Sequence, residues 1–315
     1  MPITFQTSTI AVAQIFAMGT LGFYLVRKGL IQESGLKLLS YLSVNIFFPL
    51  FIFYQIITNF DAARLSNWWQ FPLINIFVPS VGLLMSALVL WRRKIPYKDA
   101  FLVVSSLHNG GYIPLLLVMS LPLGALAGQV YTCVILSIIG FDIYLWSVGV
   151  WLITRGDSLH MDFKKMINPP LMAMFAAMLI ILFFGPGHIS VDILKPIKIL
   201  GEAALGVSMI VIGGNLGISR LNHLNLTQVS GIVLIKLILM PLITVIVLAI
   251  LKLNPLISLV AMIQSCMPSS ITISLIARNY ETKNQDIINQ GIFITHLLSM
   301  ITIPIFLGLY GRLFN

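Results

Sequence analysis

Apolar positions in this chain come in long continuous runs rather than at helical or alternating spacing. Runs of about the 20 residues that a helix needs to cross a bilayer occur ten times, at 7–26, 38–58, 70–91, 99–121, 129–154, 169–185, 199–218, 229–251, 256–277 and 288–311. Short charged or Pro/Gly-containing breaks separate them. Lipid-facing barrel strands alternate over about ten residues instead. The pattern therefore predicts an all-α integral membrane protein with ten transmembrane helices and no soluble domain. Nothing basic precedes the first run, no small-residue cleavage site follows it, and Arg27 and Lys28 close it. It is expected to remain as a helix rather than to act as a signal peptide.

Composition narrows the class further. Of 315 residues 58% are hydrophobic and 9% charged, with a mean hydropathy of +0.98, and a water-soluble domain could not cover that much apolar surface. Low charge excludes a disordered chain, and two cysteines, Cys133 and Cys266, both inside apolar runs, exclude a disulfide scaffold. The net charge of +9 does not point to nucleic acid, because the positive residues lie in short clusters between apolar runs. They read as topology determinants. The loops after helices 1, 3, 5, 7 and 9 carry thirteen: Arg27, Lys28, Lys37, Arg92, Arg93, Lys94, Lys98, Arg155, Lys164, Lys165, Arg220, Arg278 and Lys283. The other side has five, Arg64, Lys195, Lys198, Lys252 and Arg312, and Lys236 lies within helix 8. Positive loops stay inside, so both termini are expected outside a plasma or inner membrane. The sequon Asn225-Leu226-Thr227 then falls on the cytoplasmic side and is expected to be unglycosylated.

Two helices carry polar breaks near their centres: His108-Asn109-Gly110-Gly111-Tyr112-Ile113-Pro114 in helix 4 and Gln264-Ser265-Cys266-Met267-Pro268-Ser269-Ser270 in helix 9. Each proline removes a donor and clashes with the carbonyl four residues back, freeing polar groups that must face protein or a water-filled cavity. A proline alone can simply kink a membrane helix. The cluster of Asn109, Gly110, Gly111, Gln264, Ser269 and Ser270 around the two prolines favours a cavity instead. Helices 4 and 9 are the fourth members of two sets of five, which predicts an inverted five-plus-five repeat, residues 1–158 and 159–315. Paired breaks of this kind mark the binding site of a secondary transporter.

These residues resemble the auxin efflux carrier family, which includes plant PIN-type carriers and bacterial permeases related to malate and malonate transport. The resemblance runs over nearly the whole chain. It rests on Leu42 to Phe53 with Pro49, HNGGYIPLL at 108–116, Asn168-Pro169-Pro170, and MPSSITISLIARNY at 267–280, the last being the most specific. Leu145 to Gly149, Gly213-Gly214-Asn215 and Lys236 to Pro241 support it. The resemblance implies that helices 4 and 9 cross at their broken centres between a scaffold and a mobile transport domain, with a carboxylate substrate at the crossing. The substrate-binding candidates are then Asn45, His108, Asn109, Gly110, Gly111, Tyr112, Pro114, Gln264, Pro268, Ser269, Ser270 and Thr272. Asn45, four residues before Pro49, either faces the crossing or bonds a neighbouring helix. His108 departs from the family pattern, where small residues precede the asparagine. The short 155–168 loop lacks the long regulatory segment of the plant carriers, so hormone transport is not implied.

Ionisable residues inside the membrane are functional candidates by default. Asp142 and Lys236 are ion-coupling candidates, as a proton-carrying carboxylate and an anion-neutralising amine, or else as a structural pair. Glu202 reads as a solvated residue near Lys195 and Lys198, and His296 as a packing histidine. Gly206-Val207-Ser208-Met209 superficially matches a serine nucleophile turn with His296 as base, but so short a match is expected by chance. No phosphate loop, dinucleotide fingerprint or Cys/His metal cluster is present in the sequence, so no cofactor is expected and transport would run on gradients. The expected partners are a small organic anion, membrane lipids and a proton or sodium as coupling ion. Gly213 and Gly217 give the small-xxx-small spacing of helix dimers, and a homodimer is implied by the resemblance. The alternatives are a sodium-coupled organic-anion symporter of the bile-acid type, with Ser269, Ser270 and Thr272 as ion ligands, and a non-transporting sensor.

Overall fold

A computed structural model of the chain describes residues 3–63, 65–91, 96–154, 167–218, 224–279 and 285–314. Arg64, Arg92, Arg93, Lys94, Arg155, Lys164, Lys165, Arg220, Lys283 and Tyr280 lie outside the described residues. Among the described residues every regular element is helical, and the one extended pairing is an isolated antiparallel bridge between His108 and Ser269.

In chain order the first apolar run is α1 (Phe5–Arg27), begun by Thr4, whose side chain accepts from the Thr7 backbone N–H. The second is α2 (Glu33–Leu42), a π-helical turn at Ser43–Phe47, and α3 (Phe48–Asn59). The third is α4 (Gln70–Trp91). The fourth run is split into α5 (Lys98–Ser106) and α6 (Tyr112–Ser120). The fifth is α7 (Ala127–Tyr144), a π-turn at Leu145–Gly149, and α8 (Val150–Ile153). The sixth is α9 (Pro169–Phe184) and the seventh α10 (Val191–Ile218). The eighth is α11 (Leu226–Val233), a π-turn at Leu234–Leu239, and α12 (Met240–Leu251). The ninth is split into α13 (Pro255–Cys266) and α14 (Thr272–Asn279), and α15 (Gln285–Phe314) closes the chain.

Seven continuous helices among the described residues are long and apolar enough to cross a membrane. The three remaining apolar runs are the 16-residue α9 and the two broken ones. α9 starts sharply because the Asn168 side chain caps the Leu171 N–H at 3.0 Å and Pro169 and Pro170 occupy the first turn, where no N–H is missed. Two of the π-turns contain the residue four positions before a proline, Asn45 before Pro49 and Leu237 before Pro241. A widened turn relieves the clash between the proline ring and that carbonyl.

The helices pack through glycines. A Cβ at Gly213 would lie 1.8 Å from the Gly19 carbonyl oxygen, and one at Gly22 would lie 2.1 Å from that of Ile210, so α1 and α10 meet backbone to backbone. The Gly213–Gly217 face is thereby spent on α1 of the same chain, since Gly217 also abuts Phe23. α4 and α7 meet in the same way at Gly140 and Pro72. Large apolar side chains such as Leu182 and Phe183 (75% exposed) and Ile250 (71%) point outward, as a lipid surround allows and water would not.

At one end of the bundle the Arg278 guanidinium, on α14, pairs with Glu33 at the start of α2, which Lys37 also meets at 3.4 Å. All three lie outside the apolar runs, and Arg278 holds the Glu33 carboxyl below the usual carboxylate range. A depressed carboxylate stabilises above its unfolded pKa, and that contribution fades as pH falls through its folded pKa. Because both side chains are about half exposed, Arg278→Gln is expected to cost at most about 1 kcal/mol at neutral pH. Thermal unfolding in detergent should show that small loss vanishing in high salt.

Candidate functional site

The two unwound segments, 107–111 and 267–271, pass each other and are bonded backbone to backbone. Asn109 N donates to the Pro268 carbonyl at 2.8 Å, and Ser270 N donates to the Leu107 carbonyl at 3.1 Å. The Ser269 hydroxyl donates to the Val104 carbonyl at 2.7 Å, and its backbone N–H donates to the Thr295 hydroxyl at 3.3 Å. Polar groups left unpaired where the two helices unwind thus satisfy one another across the chain, which a dry interior demands. Gly110 is required here, because a Cβ would sit 2.7 Å from the Phe141 ring.

Beside the crossing lies a cavity of about 280 Å³. One wall is the crossing itself: Asn109, Gly110, Gly111 and Tyr112 from the first break, Ser270, Ile271 and Thr272 from the second. α7 and its π-turn supply Phe141, Asp142 and Trp146; the α2–α3 junction supplies Ser40, Ser43 and Phe48; α10 supplies Ser208 and Asn215; and Asn168 stands at the start of α9. The Asp142 carboxylate accepts from Asn168 Nδ2 at 2.8 Å. It is the one charged side chain among the described lining residues. The Ser43 and Ser208 hydroxyls are 2.6 Å apart and link α10 to the first π-turn. The Phe48 and Tyr112 rings meet at a 43° tilt with centroids 4.5 Å apart.

Half-helices α6 and α14 both begin at this cavity, at Tyr112 and Thr272. In the first turn of α14 the Ile273 and Ser274 N–H groups donate to the Ser270 and Ile271 carbonyls, and in that of α6 Pro114 has no N–H. What each half-helix presents is therefore chiefly the positive end of its dipole. Two such ends on one wall suit an anionic group without a full positive charge nearby.

Of the residues singled out in the sequence, Asn109, Gly110, Gly111, Tyr112, Ser270, Thr272 and Asp142 line this cavity. The others take different places. Asn45 turns back to the Tyr41 carbonyl of its own helix at 2.9 Å and is half-buried. His108 is fully buried, with Nε2 at 3.0 Å from Asn75 Oδ1; Asn75 Nδ2 donates to the Ser137 hydroxyl at 3.1 Å. Gln264 donates to the same hydroxyl at 2.9 Å and to the Gly110 carbonyl at 3.3 Å. These side chains form a polar layer behind the crossing that ties α4, α7 and both breaks together. Pro268 contributes its carbonyl to the crossing, Ser269 points into the protein, and Pro114 is buried in α6. Lys236, fully buried, donates through Nζ to the Ser106 carbonyl at 3.2 Å, at the end of α5. Asp142 and Lys236 therefore have separate partners instead of forming the pair considered from the sequence. Glu202 is exposed and meets Lys198 at 3.7 Å, and His296 Nδ1 lies 2.8 Å from the Ile292 carbonyl. Ser208 and His296 have other neighbours and do not form the nucleophile and base of the chance motif.

Sequence reasoning did not place Ser40, Ser43, Asn168, Ser208 or Asn215 at the cavity. A signal existed for Asn168, since an asparagine before two prolines marks a helix start, but only the fold shows that this cap faces the carboxylate.

Two stretches of the chain, residues 7–163 and 157–307, match the model of a family described as membrane transport protein. The chain is also 24% identical over 310 residues to a protein of Methanothermobacter thermautotrophicus described as an uncharacterized transporter, an alignment covering 96% of this chain and 98% of that one.

Proposed function

Because the chain belongs to the membrane transport protein family, that of the auxin efflux carriers, and is a multi-pass membrane protein, we propose that it is a secondary active transporter that exports small organic anions, carboxylates foremost, by alternating access at the crossing. The observation that carries this reading is the cavity of about 280 Å³ onto which α6 and α14 both open their N-terminal ends. A carboxylate there meets two positive helix ends and the Asn109 amide, while Phe48, Phe141 and Trp146 cover its apolar body. In this reading ten helices cross a plasma or inner membrane as two inverted sets of five, with both termini outside. The meeting of the two family matches near residue 160 supports that division.

Asp142 is the proposed proton carrier, since it faces the cavity and its hydrogen-bond partner among the described residues, Asn168, is neutral. Sodium coupling is the weaker reading. The end of α5, a negative helix terminus at the crossing where a coupling cation would bind, already holds the Lys236 amine. The partners that follow are a small organic anion, a proton and the surrounding lipids.

Proteoliposomes loaded with labelled dicarboxylates or aromatic carboxylates test the proposal. Asn109→Ala is expected to cut flux at least tenfold, about the worth of one hydrogen bond to a charged group, while Asn45→Ala, which turns away, leaves flux intact. Asp142→Asn is expected to transport without responding to an imposed proton gradient. Binding without flux for every anion would overturn the carrier reading in favour of a sensor.

A further inference from the structure

A second pocket, of about 370 Å³, lies toward the other end of the same helices. α3, α6, α7 and α10 each line both spaces. Going from the crossing cavity to the second pocket, the lining passes from Phe48 to Phe51 on α3 and from Tyr112 to Met119 on α6, and in the reverse chain direction from Ile138 to Tyr131 on α7 and from Ser208 to Leu205 on α10. The two spaces therefore follow one another along a single interface. The first reaches toward Asn168 at the start of α9 and Asn215 near the end of α10, the second toward Asn59 at the end of α3 and Lys198 in the first half of α10. On α3 the step from Phe48 to Phe51 is about one turn, roughly 4.5 Å of helix rise.

A row of rings fills that step. The Tyr112 and Phe48 centroids are 4.5 Å apart, Phe48 stacks on Phe51 at 6.4 Å, and Phe51 meets Tyr131 edge to face at 6.2 Å. Phe48 and Phe51 are buried, at 5% and 3% exposure. The Phe51 backbone is seated on α10, since a Cβ at Gly201 would lie 2.7 Å from the Phe51 nitrogen. Phe48 and Phe51 thus stand on one side of the interface with α10, and Tyr112 and Tyr131 on the other with α6 and α7. Contacts between rings are non-directional and can slip without leaving a polar group unpaired.

Water reaches the second pocket. Lys198 and Glu202 in its lining pair at 3.7 Å with both side chains about half exposed, and Thr58 at its edge is exposed. A dent in the protein surface would not share four helices with the crossing cavity, nor be backed by two buried phenylalanines. We propose that the second pocket is the far half of the path through the crossing, and that Phe51 is the partition that closes this half off from the anion site. That an organic anion travels the path rests on the transport reading, whereas the partition between two water-reached spaces does not.

Thiol labelling of the full chain tests the assignment. Cys133 and Cys266 are buried, so a single introduced cysteine reports its own access to sulfonatoethyl methanethiosulfonate, which does not cross membranes. Right-side-out and inside-out vesicles present each face in turn. Gln55→Cys in the second pocket and Thr272→Cys in the crossing cavity are expected to react from opposite faces, each much faster from its own face than from the other. Removing a buried ring leaves a void, so with Phe51→Ala added, Thr272→Cys should react from both faces at similar rates. Phe183→Ala, which removes a ring 75% exposed on the outer surface, should leave the preference for one face intact. Tyr131→Leu, at the half-buried end of the row, should narrow that preference as well and covers the case in which Phe51→Ala does not fold. Reaction of both cysteines from the same face, or a preference undiminished by Phe51→Ala or, failing its folding, by Tyr131→Leu, overturns the assignment. No flux is read, so the result holds whether or not an anion is found to be carried.

Discussion

Gly140→Ala is expected to lower the stability of the protein by about 3 kcal/mol, the upper part of the usual range for overpacking a core, and to reduce the folded yield in detergent accordingly. The added methyl would lie 1.8 Å from the Pro72 carbonyl oxygen and 2.7 Å from its carbon. Backbone cannot swing aside as a side chain can, so α7 has to move away from α4. The hydrogen bond from Asn75 to Ser137 crosses that same interface at 3.1 Å, and His108 and Gln264 hang from its two ends. A shift that accommodates the methyl therefore also opens a polar layer buried in apolar surroundings, where each orphaned group adds its own cost. Gly206→Ala in α10 is the control: nothing lies within 4 Å of the added carbon, and replacing a mid-helix glycine there should raise stability by up to about 1 kcal/mol. Melting curves followed by size-exclusion chromatography separate the two. An unchanged midpoint for Gly140→Ala would mean that α4 and α7 are not in backbone contact.

The second large effect is expected at Lys236. Lys236→Met keeps the length and apolar stem of the side chain but removes the amine that donates to Ser106 at 3.2 Å. The last carbonyls of α5 lack intrahelical partners and carry the negative end of its dipole. A buried polar group left without its partner costs about 1–3 kcal/mol, so flux in proteoliposomes should fall roughly ten- to hundredfold. Replacing choline by sodium in the assay should then recover part of the loss in Lys236→Met, because a small cation can occupy the emptied position. The wild type should be indifferent to that exchange. Sodium-dependent flux in the wild type would instead show that the amine is not standing in for a coupling ion.

The order of the helices was readable because a bilayer requires long apolar runs, and the two breaks because a proline there is joined by a cluster of polar residues or glycines, whereas Pro79, Pro196 and Pro304 sit inside unbroken helices. Which way a side chain turns around its helix was much less legible. In a soluble protein the polar face of a helix marks the outside, but lipid is as apolar as the core. Asn45 and Ser43 illustrate the difficulty: two residues apart, one folds back onto its own backbone and the other meets Ser208 at the cavity. Their separation lies within a π-turn, which shifts the angular register of everything after it, and nothing but Pro49 hints at that turn. Asp142 and Lys236 were visible as charges at membrane depth, yet their partners, Asn168 and the Ser106 carbonyl, come from segments distant in the sequence, and nothing local to either charge names them.

The bonds between the two unwound segments also limit how the protein can move. Parting Leu107 and Asn109 from Ser270 and Pro268 would strip two N–H groups and two carbonyls of their partners deep inside an apolar medium, at several kcal/mol for each unsatisfied group. That knot is cheaper to carry than to untie. Any change in the side to which the cavity opens should therefore transport α5, α6, α13 and α14 as a single strut. The yielding surfaces are then the ones held by side-chain contact alone, where Phe48 slides on Tyr112 and Ser43 can exchange Ser208 for water.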